Sequence, residues 1–72
     1  MFSEGAELIV FDMRNIEVYR GEIGSVENRE QFDRRWWNGR DKSGNKLPPG
    51  LYIYIIIVKG EIVCDGTVVL MR

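Results

Sequence analysis

The sequence predicts an all-β domain, a small sandwich or partial barrel of five or six strands. Three observations support this. Ala6, Leu8 and Val10 alternate with Glu7 and Ile9 as in a strand with one buried face, the segment Leu51 to Val58 is entirely apolar or aromatic, and clusters of Gly, Pro, Asn and Asp separate the apolar segments. No segment shows the helical period of 3.6 over a useful length. Such a pattern is typical of antiparallel strands joined by short turns.

Size and composition limit the architecture. The 72 residues form one domain, with residues 1–5 as an N-terminal tail and residues 6–72 as the folded part. Cys64 is the single cysteine and the chain contains no His, so neither an internal disulfide nor a Cys/His zinc site is expected. The chain must therefore depend on its apolar core, or on a neighbouring domain or a second copy.

Charge and hydropathy give no reason to expect a nucleic-acid or membrane partner. Ten basic and eleven acidic residues leave a formal net charge of −1, which provides no overall attraction to polyanions. The longest apolar run is too short to span a bilayer. The first residues have neither the basic region nor the apolar region of a signal peptide, so none is expected in this chain.

The first apolar segments predict a β-hairpin. Residues 6–12 form one strand and residues 16–21 the next, with a tight turn at Asp12-Met13-Arg14-Asn15. In this turn Asp12 is expected to bond to the backbone two residues on, and Asn15 is the best non-glycine candidate for a positive φ. Residues 24–31 are too short and polar for a lasting helix and are interpreted as a surface crossover. A further strand is predicted from Phe32 to Trp37, with Phe32 and one of the two tryptophans facing inward.

The last third of the chain predicts a second hairpin. Leu51 to Val58 forms its first strand, and Lys59-Gly60 forms the turn, with positive φ at Gly60. Glu61 to Cys64 pairs back on that strand. Asp65-Gly66 is interpreted as a bulge or second turn, after which residues 67–71 complete the sheet.

The central stretch carries the most specific motif in the chain. It consists of three blocks: Trp37-Asn38-Gly39-Arg40-Asp41, Gly44-Asn45, and Leu47-Pro48-Pro49-Gly50-Leu51-Tyr52-Ile53-Tyr54. The flanking segments Val10-Phe11-Asp12, Asn15-Ile16-Glu17-Val18 and Gly66-Thr67-Val68-Val69-Leu70-Met71-Arg72 agree with the same pattern. This pattern resembles the immunoglobulin-like domain of the flagellar hook-capping protein and related C-terminal domains of bacterial secreted and surface proteins, including gliding-motility and type IX secretion substrates.

The resemblance covers residues 6–72 and implies an immunoglobulin-like or fibronectin-III-like β-sandwich in an extracytoplasmic protein. In that family the signature is structural, so it implies no catalytic residues, cofactor or metal. The structural motif residues are Trp37, Gly39, Asp41, Gly44, Pro48, Gly50, Tyr52 and Tyr54. Two positions depart from the family pattern: Asn15 stands where Gly is usual, and Asn38 replaces the commoner Asp.

The strand after the Pro-Pro-Gly corner predicts a candidate interface. Tyr52 and Tyr54 share one face at period two, and if that face is inward, Ile53, Ile55 and Ile57 point the other way. The outer face of a sandwich strand normally alternates to polar residues. The row is therefore expected to be covered either by another domain, a second copy or an exchanged strand, or by other parts of the same chain. The sequence leaves both alternatives open.

Catalysis and metal binding are not expected. Without His there is no ordinary general base near neutral pH, and Asp33 and Asp41, the nearest carboxylate candidates, are flanked by Arg34, Arg35 and Arg40. The oxygens between Asn38 and Asn45 do not have calcium-loop spacing and are interpreted as turn groups. Cys64 is expected to pack as a small apolar residue, since no base is available to activate it.

The sequence thus predicts a non-catalytic structural or protein–protein interaction module. Its expected partner is a neighbouring domain of the same protein, another subunit or a second copy. The alternative is a small β-module that binds single-stranded nucleic acid or glycan. In that case Trp36 and the tyrosines would stack, and basic residues would contact phosphates: Arg34, Arg35, Arg40, Lys42 and Lys46.

Overall fold

A computed structural model describes residues 5–23 and 36–71, and within these ranges the chain is all-β. The four strands are β1 (Ala6–Phe11), β2 (Glu17–Ile23), β3 (Gly50–Val58) and β4 (Glu61–Leu70). They form one antiparallel sheet in the order β2-β1-β3-β4. The all-β prediction is confirmed. A second sheet, which the sandwich prediction requires, is not among the described strands.

Part of the predicted middle of the chain lies outside the described residues. This applies to the crossover at residues 24–31 and to Phe32 of the predicted third strand. Trp36 and Trp37, expected to end that strand, are not in a strand. That prediction was wrong at its C-terminal end. The side chain of Trp37 packs against the sheet. Its backbone does not pair with a strand and continues into the Gly39–Lys46 loop.

The β1–β2 turn has the predicted chemistry. The Asp12 carboxylate accepts hydrogen bonds from the backbone N–H of Arg14 at 2.8 Å and of Ile16 at 3.0 Å. Asn15 has φ 65°, a left-handed conformation that asparagine adopts more readily than most residues. Both predictions for this turn are confirmed, and they explain why the chain reverses between Phe11 and Glu17.

The second hairpin has the predicted turn at Lys59-Gly60, and its second strand is more continuous than predicted. Lys59 and Gly60 have φ 53° and 80°, and two successive positive values are the signature of a two-residue turn that matches strand twist. The prediction of a bulge or turn at Asp65-Gly66 was wrong, because these residues pair with Ile55 and Tyr54 in regular register. The register shift lies earlier, between Ile56 and Ile57 of β3, where β4 carries one extra residue.

One face of the sheet, which we call the inner face, holds the core. Cross-strand pairs on it include Leu8 with Ile56 and Val10 with Tyr54. Leu8, Val10 and Ile56 are fully buried. Tyr52 and Tyr54, each 5% exposed, also lie on this face, so the condition under which Ile53, Ile55 and Ile57 point the other way is met. The buried members of the core are Ala6, Leu8, Val10, Ile23, Trp37, Tyr52, Tyr54, Ile56 and Val58.

Trp37 closes the inner face. Its ring lies 5.4 Å from that of Tyr52 in an edge-on arrangement and 6.4 Å from that of Tyr19 on β2. Its indole N–H donates a hydrogen bond of 2.8 Å to the carbonyl oxygen of Arg40. A buried tryptophan needs such an acceptor, and this one ties the loop after Trp37 to the core. Of the two tryptophans, Trp37 is thus the one that is buried.

Candidate interaction surface

The loop from Gly39 to Lys46 is a turn organised around the side chain of Asp41. The Asp41 carboxylate accepts hydrogen bonds of 2.9 Å from the backbone N–H groups of Ser43 and Asn45. These bonds lower the pKa of Asp41 below its ordinary value, and the bond from the backbone of Asn45 has the largest effect. Gly39 and Gly44 have φ 81° and 88°, which favour glycine. Asp41 therefore acts as a turn residue: its Oδ1 accepts both backbone hydrogen bonds, and its Oδ2 accepts one from the side-chain amide of Asn45.

The Pro-Pro-Gly corner is fixed by the first tyrosine of β3. The hydroxyl of Tyr52 donates a 2.6 Å hydrogen bond to the carbonyl oxygen of Pro48. Gly50, with φ 150°, allows the chain to enter β3 directly after the prolines. The bond connects the core to the corner, so the corner and the inner face form one unit. This explains why the motif residues Pro48, Gly50 and Tyr52 occur together.

Ile53, Ile55 and Ile57 lie on the opposite side of the sheet, which we call the isoleucine face. All three are half-buried. Of their partners on β1, Phe11, opposite Ile53, is also half-buried, whereas Ile9, opposite Ile55, is only 3% exposed. On β4, Ile62 pairs with Ile57 and is exposed over 61% of its surface. The apolar area is therefore broader than the row of three predicted from the sequence, and it is enclosed at Ile9.

An ion-pair network borders the isoleucine face along β2. Arg20, the cross-strand partner of Ile9, contacts the carboxylates of Glu7 at 2.8 Å and Glu17 at 2.9 Å. Lys42, from the loop around Asp41, contacts the same Glu17 at 2.9 Å. Hydrogen bonds from Arg20, then Lys42, lower the pKa of Glu17 to about 2. The network gives the apolar face a charged border on one side.

A second apolar feature was not predicted. Exposed side chains of Met13, Ile16 and Leu51 border a groove of about 470 Å³ between the β1–β2 turn and the Pro-Pro-Gly corner. Sequence reasoning treated residues 12–15 only as a turn. The sequence did contain a signal for this feature: Met13 and Ile16 are apolar, although turns are normally polar. What brings them next to the corner is the pairing of β1 with β3, which is not a local property.

The structure assembles no recognisable reactive site from the predicted candidates. Asp33 lies outside the described residues, and Asp41 is held by its own turn. Cys64 is half-buried beside Tyr54, and burial is the largest cause of a raised pKa of that tyrosine. Within residues 5–23 and 36–71, no cluster of three or more metal-ligating side chains occurs. The same part of the chain has no helix long and apolar enough to cross a membrane.

The residues proposed for nucleic-acid or glycan binding are largely engaged elsewhere. Trp36, which was proposed to stack, is half-buried, and Tyr52 and Tyr54 are each only 5% exposed, so these two tyrosines cannot serve as an open stacking platform. Lys42 contacts Glu17, and the guanidinium of Arg40 donates a 2.8 Å hydrogen bond to the carbonyl oxygen of Gly44. Arg34 and Arg35 lie outside the described residues. No described observation favours this alternative over a protein partner.

Comparisons with known proteins add no further assignment: no family model, no curated protein and no solved structure matches the chain.

Proposed function

We propose that the chain is a non-catalytic β-module whose isoleucine face docks against another protein surface. The partner is a neighbouring domain of the same protein or a separate subunit. One observation carries the proposal: Ile53, Ile55 and Ile57 are half-buried, and the apolar area continues across the sheet into the half-buried Phe11 and the exposed Ile62. Antiparallel sheets with one solvated face carry mainly polar residues there, and large exposed apolar areas mark interaction sites.

The border of the face supports docking rather than non-specific exposure. Protein interfaces combine an apolar centre with a polar, hydrated rim. Here one side of the apolar area is bordered by Glu7 on β1 and by Glu17 and Arg20 on β2. The other side is bordered by Asp65 and Thr67 on β4. Such a rim orients a partner and keeps the free module soluble.

We further propose that the module is an immunoglobulin-like or fibronectin-III-like sandwich from an extracytoplasmic bacterial protein of the hook-capping type. The hydrogen bond from Tyr52 to the carbonyl of Pro48, four residues upstream, is similar to the tyrosine corner of such sandwiches. The buried Trp37 against Tyr52 is a second similarity. An experimental structure is expected to place a second layer of strands over the inner face, and one that leaves a single sheet contradicts this proposal.

The docking proposal is tested by asking whether the isoleucine face is surface or core. Carbene footprinting of the wild-type chain with a small diazirine reagent is expected to label Ile53, Ile55 and Ile57. In parallel, the double variant Ile55→Thr/Ile57→Thr is expected to stay folded, with a loss in the free energy of unfolding of about 2 kcal/mol or less. The measurements are mass spectrometry of labelled peptides and urea unfolding followed by circular dichroism.

The matched control is Ile56→Thr, which changes the fully buried residue between the two sites. This variant is expected to be largely unfolded, because a hydroxyl is buried and a cavity is left on the inner face. If the double variant unfolds as the control does, and the row is protected from labelling, the isoleucine face is core and the docking proposal is wrong.

A further inference from the structure

The two outer strands of the sheet differ in how their edges are protected. β2 carries Glu17, Arg20 and Glu22 within seven residues. In addition, the backbone N–H of Lys42 donates a hydrogen bond to the carbonyl oxygen of Val18, so the loop around Asp41 covers part of that edge. Natural sheets use charges and covering loops of this kind to prevent edge-to-edge pairing. The β2 edge therefore has the usual protection.

The β4 edge has little of this protection. β4 is the longest strand, with ten residues, and among the described strands it pairs only with β3. It contains no Lys, Arg or Pro, and its only charged residues are Glu61 and Asp65. Its side chains Ile62 and Val69 are each 61% exposed, and the adjoining Met71 is 81% exposed. The extra residue of β4 lies before Cys64, so the strand from Cys64 to Leu70 is regular, and a regular strand of this composition is a template for pairing with another strand.

The sequence of β4 is complementary to itself when reversed about Gly66. When two copies of β4 pair antiparallel with Gly66 at the centre, Asp65 of each copy lies opposite Thr67 of the other. The dimer therefore contains this pair twice, once on each side of the twofold axis. Opposed residues share a face of the sheet, so the carboxylate accepts a hydrogen bond from the hydroxyl. Cys64 meets Val68, and Gly66 meets itself without steric hindrance. No like charges oppose each other.

From this complementarity we infer that β4 is a homodimerisation edge: two copies of the chain pair their β4 strands antiparallel about a twofold axis at Gly66. The four-stranded sheets then join into one sheet of about eight strands, within the size of common sheets. Twofold symmetry requires a self-complementary patch, which β4 provides. The pairing also sets the isoleucine faces of the two copies side by side. The inference goes beyond the proposed docking role, because it uses the strand edge and not the isoleucine face.

The test uses charge at position 67, which is exposed in the free chain. Thr67→Asp places a carboxylate opposite Asp65 of the other copy twice per dimer, and is expected to weaken dimerisation about tenfold. Thr67→Lys places an ammonium group there instead, and is expected to leave the dimer unchanged or tighten it. The dissociation constants of both variants and the wild type are measured by sedimentation equilibrium over a tenfold concentration range, at low and high salt.

A rescue experiment fixes the register. The double variant Asp65→Lys/Thr67→Asp restores opposite charges across the axis and is expected to recover the dimer lost in Thr67→Asp. A contact through the isoleucine face instead predicts that lysine and aspartate at position 67 weaken association alike, and this result overturns the inference. A wild-type chain that remains monomeric at about millimolar concentration also overturns it. That outcome leaves the docking role intact, since docking is judged by the accessibility of Ile55 and Ile57.

Discussion

The two faces of β3 are built from similar residues and differ in how completely they are enclosed. Ile56 on the inner face is fully buried, whereas its neighbours Ile55 and Ile57 are half-buried. On the inner side, the tyrosines and Trp37 cover the sheet. On the other side, the direct partners of Ile57 and Ile55 are Glu7 and Asp65, and Glu7 belongs to a solvent-exposed ion-pair network. Residue type is therefore a poor guide to which face is core, and the covering elements decide.

The largest effect expected from this difference concerns neighbouring isoleucines. Ile56→Ala is expected to lower the free energy of unfolding by about 2–5 kcal/mol, because the cavity has no solvent access and cannot easily collapse. Ile55→Ala is the matched control and is expected to cost about 1 kcal/mol, since part of its side chain already contacts water. Urea unfolding of both variants measures the difference. Equal losses contradict the distinction between the faces.

A second test uses the close approach of Tyr54 to Gly66 on the inner face. A β-carbon at position 66 would lie 2.8 Å from the hydroxyl oxygen of Tyr54, its direct cross-strand partner. Gly66→Ala is therefore expected to destabilise the chain by about 1–3 kcal/mol through overpacking. In a Tyr54→Phe background the same substitution is expected to cost less. Thermal unfolding of the four chains in this cycle measures the coupling, and zero coupling contradicts the packing described.

A smaller effect is expected from the hydrogen bond that ties the corner to the inner face. Tyr52→Phe keeps the ring against Trp37 but removes the donor to the carbonyl of Pro48, and is expected to cost about 0.5–1.5 kcal/mol. Tyr19→Phe is the control, because the ring of Tyr19 also packs near Trp37. Its hydroxyl has no such backbone acceptor in the described part of the chain. If both variants lose equal stability, the corner bond has no special role.

The smallest effect is expected at the border of the isoleucine face and depends on pH. The pKa of Glu17 is lowered from 4.5 to about 2, mainly by Arg20 and then by Lys42. A carboxyl with a lowered folded-state pKa stabilises the fold above its unfolded pKa. This contribution is lost as the pH falls from about 4.5 towards 2. In Glu17→Gln, the decline in stability over this window is expected to be shallower than in the wild type.

The control for that measurement is Glu22→Gln. Glu22 lies on the same strand, but its carboxylate is not part of the ion pair between Glu17 and Arg20. Because the network is exposed, added salt is expected to reduce the wild-type slope. Urea unfolding at several pH values and two salt concentrations measures both effects. A slope in Glu17→Gln that equals the wild-type slope contradicts a role for these ion pairs.

Local chemistry was predictable from the sequence where a few adjacent residues determine the outcome. The turn at Asp12 to Asn15 and the turn at Gly60 follow from side-chain oxygens and from tolerance of positive φ. The alternation along β3 follows from the period of two, so the separation of the tyrosines and the isoleucines onto opposite faces was expected, whereas which face is buried was left open. These properties depend on neighbours within about five residues.

Long-range pairing decided the rest. The sheet order β2-β1-β3-β4 brings Arg20 beside the isoleucine face and places Met13 at the Pro-Pro-Gly corner, although no local pattern connects these residues. The choice of Trp37 as the buried tryptophan depends on Tyr19 and Tyr52, which come from different strands. The continuity of β4 through Asp65 and Gly66 is likewise set by its ladder with β3. A glycine tolerates both a turn and a strand, so only the partner strand determines which conformation it adopts.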